Sequence, residues 1–182
     1  QTREQEQQPL SVLIVGGSLG AQALNERLPE ALSKVNIPLK VFHQCGQNQQ
    51  DLTLVRYHDA PKSLQVQVEP FIHDMAKAYS DADLIICRAG ALTVTEIATA
   101  GVAAVFVPLP SAVDDHQTAN AKFLAKTGAA KICPQAQMTP ESLKELLVPL
   151  MNRQLLSEMA VKARQQAQPD ATQHVVELIQ EL

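Results

Sequence analysis

One alternation limits what this chain can fold into. Between Leu10 and Cys133, short runs rich in β-branched and apolar residues are separated by longer stretches with apolar residues at helical spacing. The runs are Ser11–Val15, Leu39–Cys45, Gln65–Glu69, Leu84–Cys87, Ala103–Val107 and Ala130–Cys133. The helical patterns between them are Ala21–Leu32, Met75–Ser80, Thr93–Ala100 and His116–Thr127. Strands alternating with helices form βαβ units, which require a parallel sheet covered on both faces. Right-handed crossovers make that sheet doubly wound, an α/β class. Ligands of such sheets bind outside the carboxyl ends of the strands, so the loops that follow strands are where chemistry is expected.

Beyond Pro140 the strand pattern stops. Glu141–Met151, Gln154–Gln168 and Asp170–Leu182 read as successive helices, a tail beginning at about residue 139. Thr139-Pro140-Glu141-Ser142 has the order of a helix start: a capping hydroxyl, Pro in the first turn, then an acid. Residues 1–8 carry no apolar side chain, so 1–9 are expected to be a linker or frayed end and 10–182 one domain with its helical tail. The first residue is Gln rather than Met, which suggests a piece of a longer chain.

Composition removes several function classes. Fifteen Lys plus Arg against nineteen Asp plus Glu give a net charge of -4, the wrong sign for a nucleic-acid face. Four Phe, two Tyr and no Trp cannot supply a base-stacking platform. Cys45, Cys87 and Cys133 lie in or at the end of apolar runs with no Cys-x-x-Cys spacing, so they read as buried free thiols of a reducing compartment. No apolar run approaches the roughly 18 residues of a bilayer span, and no signal pattern opens the chain. A soluble cytoplasmic domain is expected. The five His residues lack metal-ligand spacing, no nucleophile triad can be argued from residue order, and neither metal nor cofactor is expected.

Four loops follow strands and carry candidate chemistry. Gly16-Gly17-Ser18-Leu19-Gly20-Ala21 opens a helix after the first strand. Such a turn lets backbone amides and the positive end of a helix dipole meet an anion, or merely permits close packing. Its spacing is neither Gly-x-Gly-x-x-Gly nor that of an NTPase phosphate loop, and no acid ends the second strand to hold an adenosine ribose. In Cys87-Arg88-Ala89-Gly90-Ala91-Leu92-Thr93-Val94-Thr95-Glu96, two roles compete for Glu96. It either closes a capping box with Thr93 or accepts from the cis hydroxyls of a ribose. The loop Pro108–Asn120 gathers Asp114, Asp115, His116, Gln117 and Asn120, partners suited to a sugar or to a solvated helix start. In Glu69–Met75 the flat apolar Phe71, beside exposed backbone amides, could hold a heterocyclic base, or Phe71 could be core. Asp81-Ala82-Asp83 matches a metal–diphosphate pattern but precedes a strand, so it reads as a solvated turn at the wrong edge.

Taken together, GGSLGAQALN, HQCG, VEPFIHDMAKAYSDADLIICRAGALTVTEIATAG, VFVPLPSAVDDHQTANAKFL and GAAKI resemble the carboxyl-terminal half of the MurG family, from about Val12 to Ile132. These bacterial transferases add N-acetylglucosamine to the lipid-linked muramyl pentapeptide, converting lipid I to lipid II in peptidoglycan synthesis. The resemblance implies the second Rossmann-like half of a GT-B enzyme, the half that holds UDP-N-acetylglucosamine. It implies that Gly17 and Ser18 face the diphosphate, and that the backbone at Phe71 and Ile72 receives uracil. Ala91, Leu92 and Thr93 then offer amides to the phosphates, and Glu96 holds the ribose. His116, Gln117 and Asn120 lie by the sugar.

Leu19 stands where the family usually has Gln, and Ala103 where Pro is common. The family's amino-terminal domain, with the proposed base and the lipid I site, has no counterpart here. The fragment is therefore expected to bind donor without turning it over. As part of the full-length enzyme it would work at the cytoplasmic face of the inner membrane, peripherally attached. Two other readings fit the loops: a stand-alone nucleotide-sugar-binding module, or another GT-B enzyme such as a non-hydrolysing UDP-N-acetylglucosamine 2-epimerase.

Overall fold

The structure is a computed structural model and describes residues 8–17, 21–110 and 115–167. Six strands form one parallel sheet: β1 (Leu10–Val15), β2 (Leu39–Gln44), β3 (Leu64–Glu69), β4 (Leu84–Cys87), β5 (Ala103–Phe106) and β6 (Ala130–Ile132). Their order is β3-β2-β1-β4-β5-β6. The chain winds outward from β1 in one direction, then returns to β4 and winds the other way. The reversal between β1 and β4 makes a crevice at the carboxyl rim.

The helices are α1 (Gln22–Ser33), α2 (Gln50–Arg56), α3 (Met75–Ser80), α4 (Ala91–Ala100), α5 (His116–Ala125), α6 (Pro140–Leu150) and α7 (Arg153–Gln165). Alternate residues of β1 feed two cores. Val12 and Ile14 join Leu24, Leu28 and Leu32 of α1 and Leu143 and Leu147 of α6. Leu13 joins Tyr79, Val94, Ile97 and Leu124 on the opposite face. β4 and β5 are buried along their whole length, as expected of central parallel strands. On β3, Leu64 and Val68 are buried whereas Gln65 and Gln67 are exposed, the alternation of an edge strand with one open face. That open face carries a groove of about 540 Å³ bordered by Lys40, Phe42, Gln67, Phe71 and Lys77.

The six strands fall where the sequence places them, to within a residue at either end. α2 has no counterpart in the expected elements. Leu52, Leu54 and Val55 point outward and only Thr53 is buried, so the helix shows no inward apolar stripe. Thr139 does cap α6, and Ser142 closes the box in place of an acid. The helix expected over Asp170–Leu182 lies outside the described residues. All three cysteines are buried and unpaired, and burial raises each thiol's pKa, keeping it protonated.

The solvated turn expected at Asp81–Asp83 needs correction. Asp81 is exposed and pairs with Lys77 at 2.8 Å. Asp83 instead closes the amino edge of the sheet: it accepts from Ser11 N at 2.8 Å and pairs with Arg153 of α7 at 2.9 Å. Arg153 also donates to Gln8 O at 3.1 Å. From there α7 crosses to the other face, with Leu156 and Met159 in one core and Ala163 in the other.

Candidate functional site

All six strands are parallel, so the loops that follow them share one rim. At the end of β1, Gly17 adopts a φ of 80°, a left-handed turn that costs glycine little. Both of its backbone groups are gripped by the Gln44 carboxamide: Gly17 N donates to Oε1 and Nε2 donates to Gly17 O, each at 2.9 Å. Ser18 and Leu19 lie outside the described residues.

Behind this turn α1 starts at Ala21 with no side-chain cap and no acid in its first turn. α4 starts at Gly90 in the same way. The other helices differ. Asp74, Asp115, Thr139 and Asn152 cap α3, α5, α6 and α7, and α2 carries Asp51 in its first turn. Among the described α-helices, only the two flanking the crevice combine an N-cap without a side-chain bond and a first turn without an acid. That combination suits an anion.

The capping role of Thr93 and Glu96 is overturned. Gly90, extended at ψ 148°, is the N-cap, and the first helical bond runs from Val94 N to Gly90 O. Thr93 is already the third residue of the helix, and Glu96 lies a turn further on. Its Oε2 accepts from Tyr79 Oη at 2.9 Å. Burial first, and then the Glu96 hydrogen bond, raises the tyrosine pKa, so Tyr79 stays a proton donor. A carboxylate has about four acceptor sites, so one tyrosine does not saturate it.

After β3, Phe71 is 53% exposed and meets His73 edge-on at 5.2 Å, while Ile72 is 6% exposed. The core role considered for Phe71 thus belongs to Ile72. After β5, Ser111–Asp114 lie outside the described residues. Gln117 Oε1 accepts from Leu109 N at 2.9 Å and Ala89 N at 3.2 Å, and Asn120 Nδ2 donates to Ala89 O at 3.1 Å. Both side chains therefore brace the approach to α4. His116 opens α5 at the same rim.

Besides Gln44, two residues were not singled out from sequence. Arg88 follows β4 directly and donates to Val107 O at 3.1 Å and Gln135 Oε1 at 2.7 Å. Burial lowers its pKa. With Gly16, Ala21, Gln22 and Leu109 it lines a crevice of about 550 Å³ at the switch point. His43, fully buried, is the other. Its Nε2 faces Asn25 Oδ1 and its Nδ1 faces Tyr57 Oη, both at 3.0 Å. Asn25 donates through Nδ2 to Cys45 O at 2.9 Å, so His43 is the neutral tautomer with its proton on Nε2. Burial holds its pKa down at about 4. Position at a strand end was the available signal for Arg88; nothing in the sequence marked the His43 network. Among the described residues no cluster of His, Cys, Asp and Glu could hold a metal ion.

Residues 11–175 match the glycosyltransferase family 28 C-terminal domain. The chain belongs to this family. It is 77% identical over 181 residues to the UDP-N-acetylglucosamine--N-acetylmuramyl-(pentapeptide) pyrophosphoryl-undecaprenol N-acetylglucosamine transferase of Acinetobacter baylyi, covering 100% of this chain and 50% of that protein. Identity to the Psychrobacter cryohalolentis protein of the same name is 53%, over 93% of this chain and 47% of that protein. The crystal structure of Acinetobacter baumannii MurG superposes with a TM-score of 0.95 at 73% identity, covering 99% of this chain and 52% of that one. The glycosyltransferase VinC, solved in complex with dTDP, shares the fold at a TM-score of 0.68 and 22% identity, over 96% of this chain and 41% of that one. The chain thus spans about half the length of the curated relatives it matches. Within family 28 it is a Rossmann-like carboxyl-terminal domain.

Proposed function

We propose that this domain is the donor-binding half of an inverting N-acetylglucosaminyltransferase that converts lipid I to lipid II. The observation that carries this is the pair of uncapped, acid-free helix openings on either side of the crevice, with Glu96 one turn beyond the second. A diphosphate fits between the two openings. Gly17 approaches it from one side and the Ala91, Leu92 and Thr93 amides from the other, and the Ser18 hydroxyl is assigned to the same diphosphate. Glu96 accepts from the ribose hydroxyls, and uracil lies on the backbone at Phe71 and Ile72. Gln117 and Asn120 keep Nε2 and Oδ1 for the hydroxyls of the sugar, beside His116.

When the acceptor's 4-hydroxyl attacks the anomeric carbon, the bond to UDP breaks and charge grows on the diphosphate. Helix ends aimed at that charge stabilise the transition state more than the ground state. The base that takes the hydroxyl proton and the lipid I site belong to the other half of the enzyme. The full-length protein works peripherally at the cytoplasmic face of the inner membrane. Among the described residues no helix is long and apolar enough to cross a membrane.

Calorimetric titration with UDP, UDP-N-acetylglucosamine, UDP-glucose and NADH tests the proposal. UDP and UDP-N-acetylglucosamine should bind and NADH should not. Saturating UDP that leaves the amide resonances of Gly17 and Ala91–Thr93 unmoved would exclude the site.

A further inference from the structure

We propose that Gln44 is a positioning residue that sets the spacing between the diphosphate and base subsites; the proposal rests on the donor-site reading above. Gln44 ends β2 between β1 and β3, in register with Val15 on one side and Glu69 on the other. Its backbone oxygen accepts from Gly16 N at 3.1 Å, the last regular rung. Its side chain then continues the ladder. The carboxamide pairs with both backbone groups of Gly17 at 2.9 Å and donates further to Pro70 O at 3.3 Å. Gly17 belongs to the turn that would meet the diphosphate, and Pro70 precedes the Phe71–Ile72 backbone that would meet uracil. One side chain, 3% exposed and so held by packing, touches both loops.

Only a carboxamide can do this here. Accepting from an N–H while donating to two carbonyls needs an acceptor and a two-proton donor on one rigid plane. Gln44 also stands at the end of the second strand, where a dinucleotide-binding sheet places an acid toward a ribose. In this chain that position is turned inward to hold two backbones at a fixed separation. UDP spans two subsites, so its affinity depends on the effective concentration of one half once the other is bound, and that depends on their separation. Uridine or pyrophosphate alone uses one subsite and is insensitive to it.

The test is NMR titration of the whole chain, wild type and Gln44→Met, with UDP, uridine and pyrophosphate separately. UDP should weaken by about tenfold or more while each fragment stays within about twofold of wild type, the mark of lost linkage rather than a lost contact. Unchanged UDP affinity overturns the proposal. Equal weakening of all three ligands also overturns it, because that is general loosening. A wild-type chain that takes up no UDP overturns the donor reading and this proposal together. If Gln44→Met does not fold, Gln44→Asn keeps a neutral carboxamide but shortens its reach by one methylene, and the same selective loss is expected. In wild type, the Gln44 Nε2 proton resonances should move with uridine alone and with pyrophosphate alone; silence toward either overturns the proposal.

Discussion

At the amino ends of the strands, Asp83 answers Ser11 N at 2.8 Å and Arg153 at 2.9 Å, and Arg153 reaches on to Gln8 O. At the carboxyl ends, Gln44, Gln117 and Asn120 hold backbone from behind, at Gly17, Leu109 and Ala89, while the amides opening α1 and α4 lack side-chain caps. Side chains close one edge and support the other. Closure removes polar groups from water within the protein and stabilises the fold. Support holds the backbone beside helix openings that, among the described residues, carry no side-chain cap, which favours a bound anion. Stability and binding should therefore separate between the two edges.

The largest effect tests an exception beneath the open rim. His43 is buried and neutral, with its pKa lowered from 6.5 to about 4. The unfolded chain binds that proton first, so stability is full above pH 6.5 and falls as pH drops toward 4. The loss should reach about 3 kcal/mol at the end of that window. Urea unfolding at stepped pH measures it, and His43→Phe should flatten this part of the profile.

Asp83→Ala should come next. It leaves Ser11 N and Arg153 without their carboxylate and should lower stability by about 2.5 kcal/mol with UDP affinity unchanged. A drop in affinity of similar size would break the separation of the two edges. Glu96→Ala should do the reverse. UDP binding should weaken by about 2 kcal/mol, measured calorimetrically, with a smaller loss of melting temperature from the orphaned Tyr79 hydroxyl. The smallest change in stability gives the sharpest contrast. A Cβ at Gly90 would meet Thr93 Oγ1 at 3.6 Å, ordinary contact, so Gly90→Asp fits. It should stabilise the domain by about 0.5 kcal/mol while weakening UDP, because the new carboxylate would occupy the place proposed for the diphosphate. Stability and affinity would then move in opposite directions.

Much of the frame was legible because burial writes itself into sequence. β4 and β5 are unbroken apolar runs between turns, and α3 falls on Met75–Ser80 as its pattern predicts. α2 was not legible because its apolar residues face solvent. The site was legible as loops and ambiguous as roles. Thr93-x-x-Glu96 satisfies the pattern of a capping box, yet Gly90 starts the helix three residues earlier, and only backbone geometry reveals that. Gln44 and Asp83 act through contacts 26 to 72 residues away in sequence, which no local pattern encodes.

α7 carries a consequence of its own. Its first turns lie in one hydrophobic cluster, its last in the other, and Arg153 clamps the amino edge between them. Neither half of the sandwich can melt while the other stays folded without tearing this helix from one of its seats. Heat should therefore meet a single cooperative unit, with one transition seen alike by probes placed on either face of the sheet.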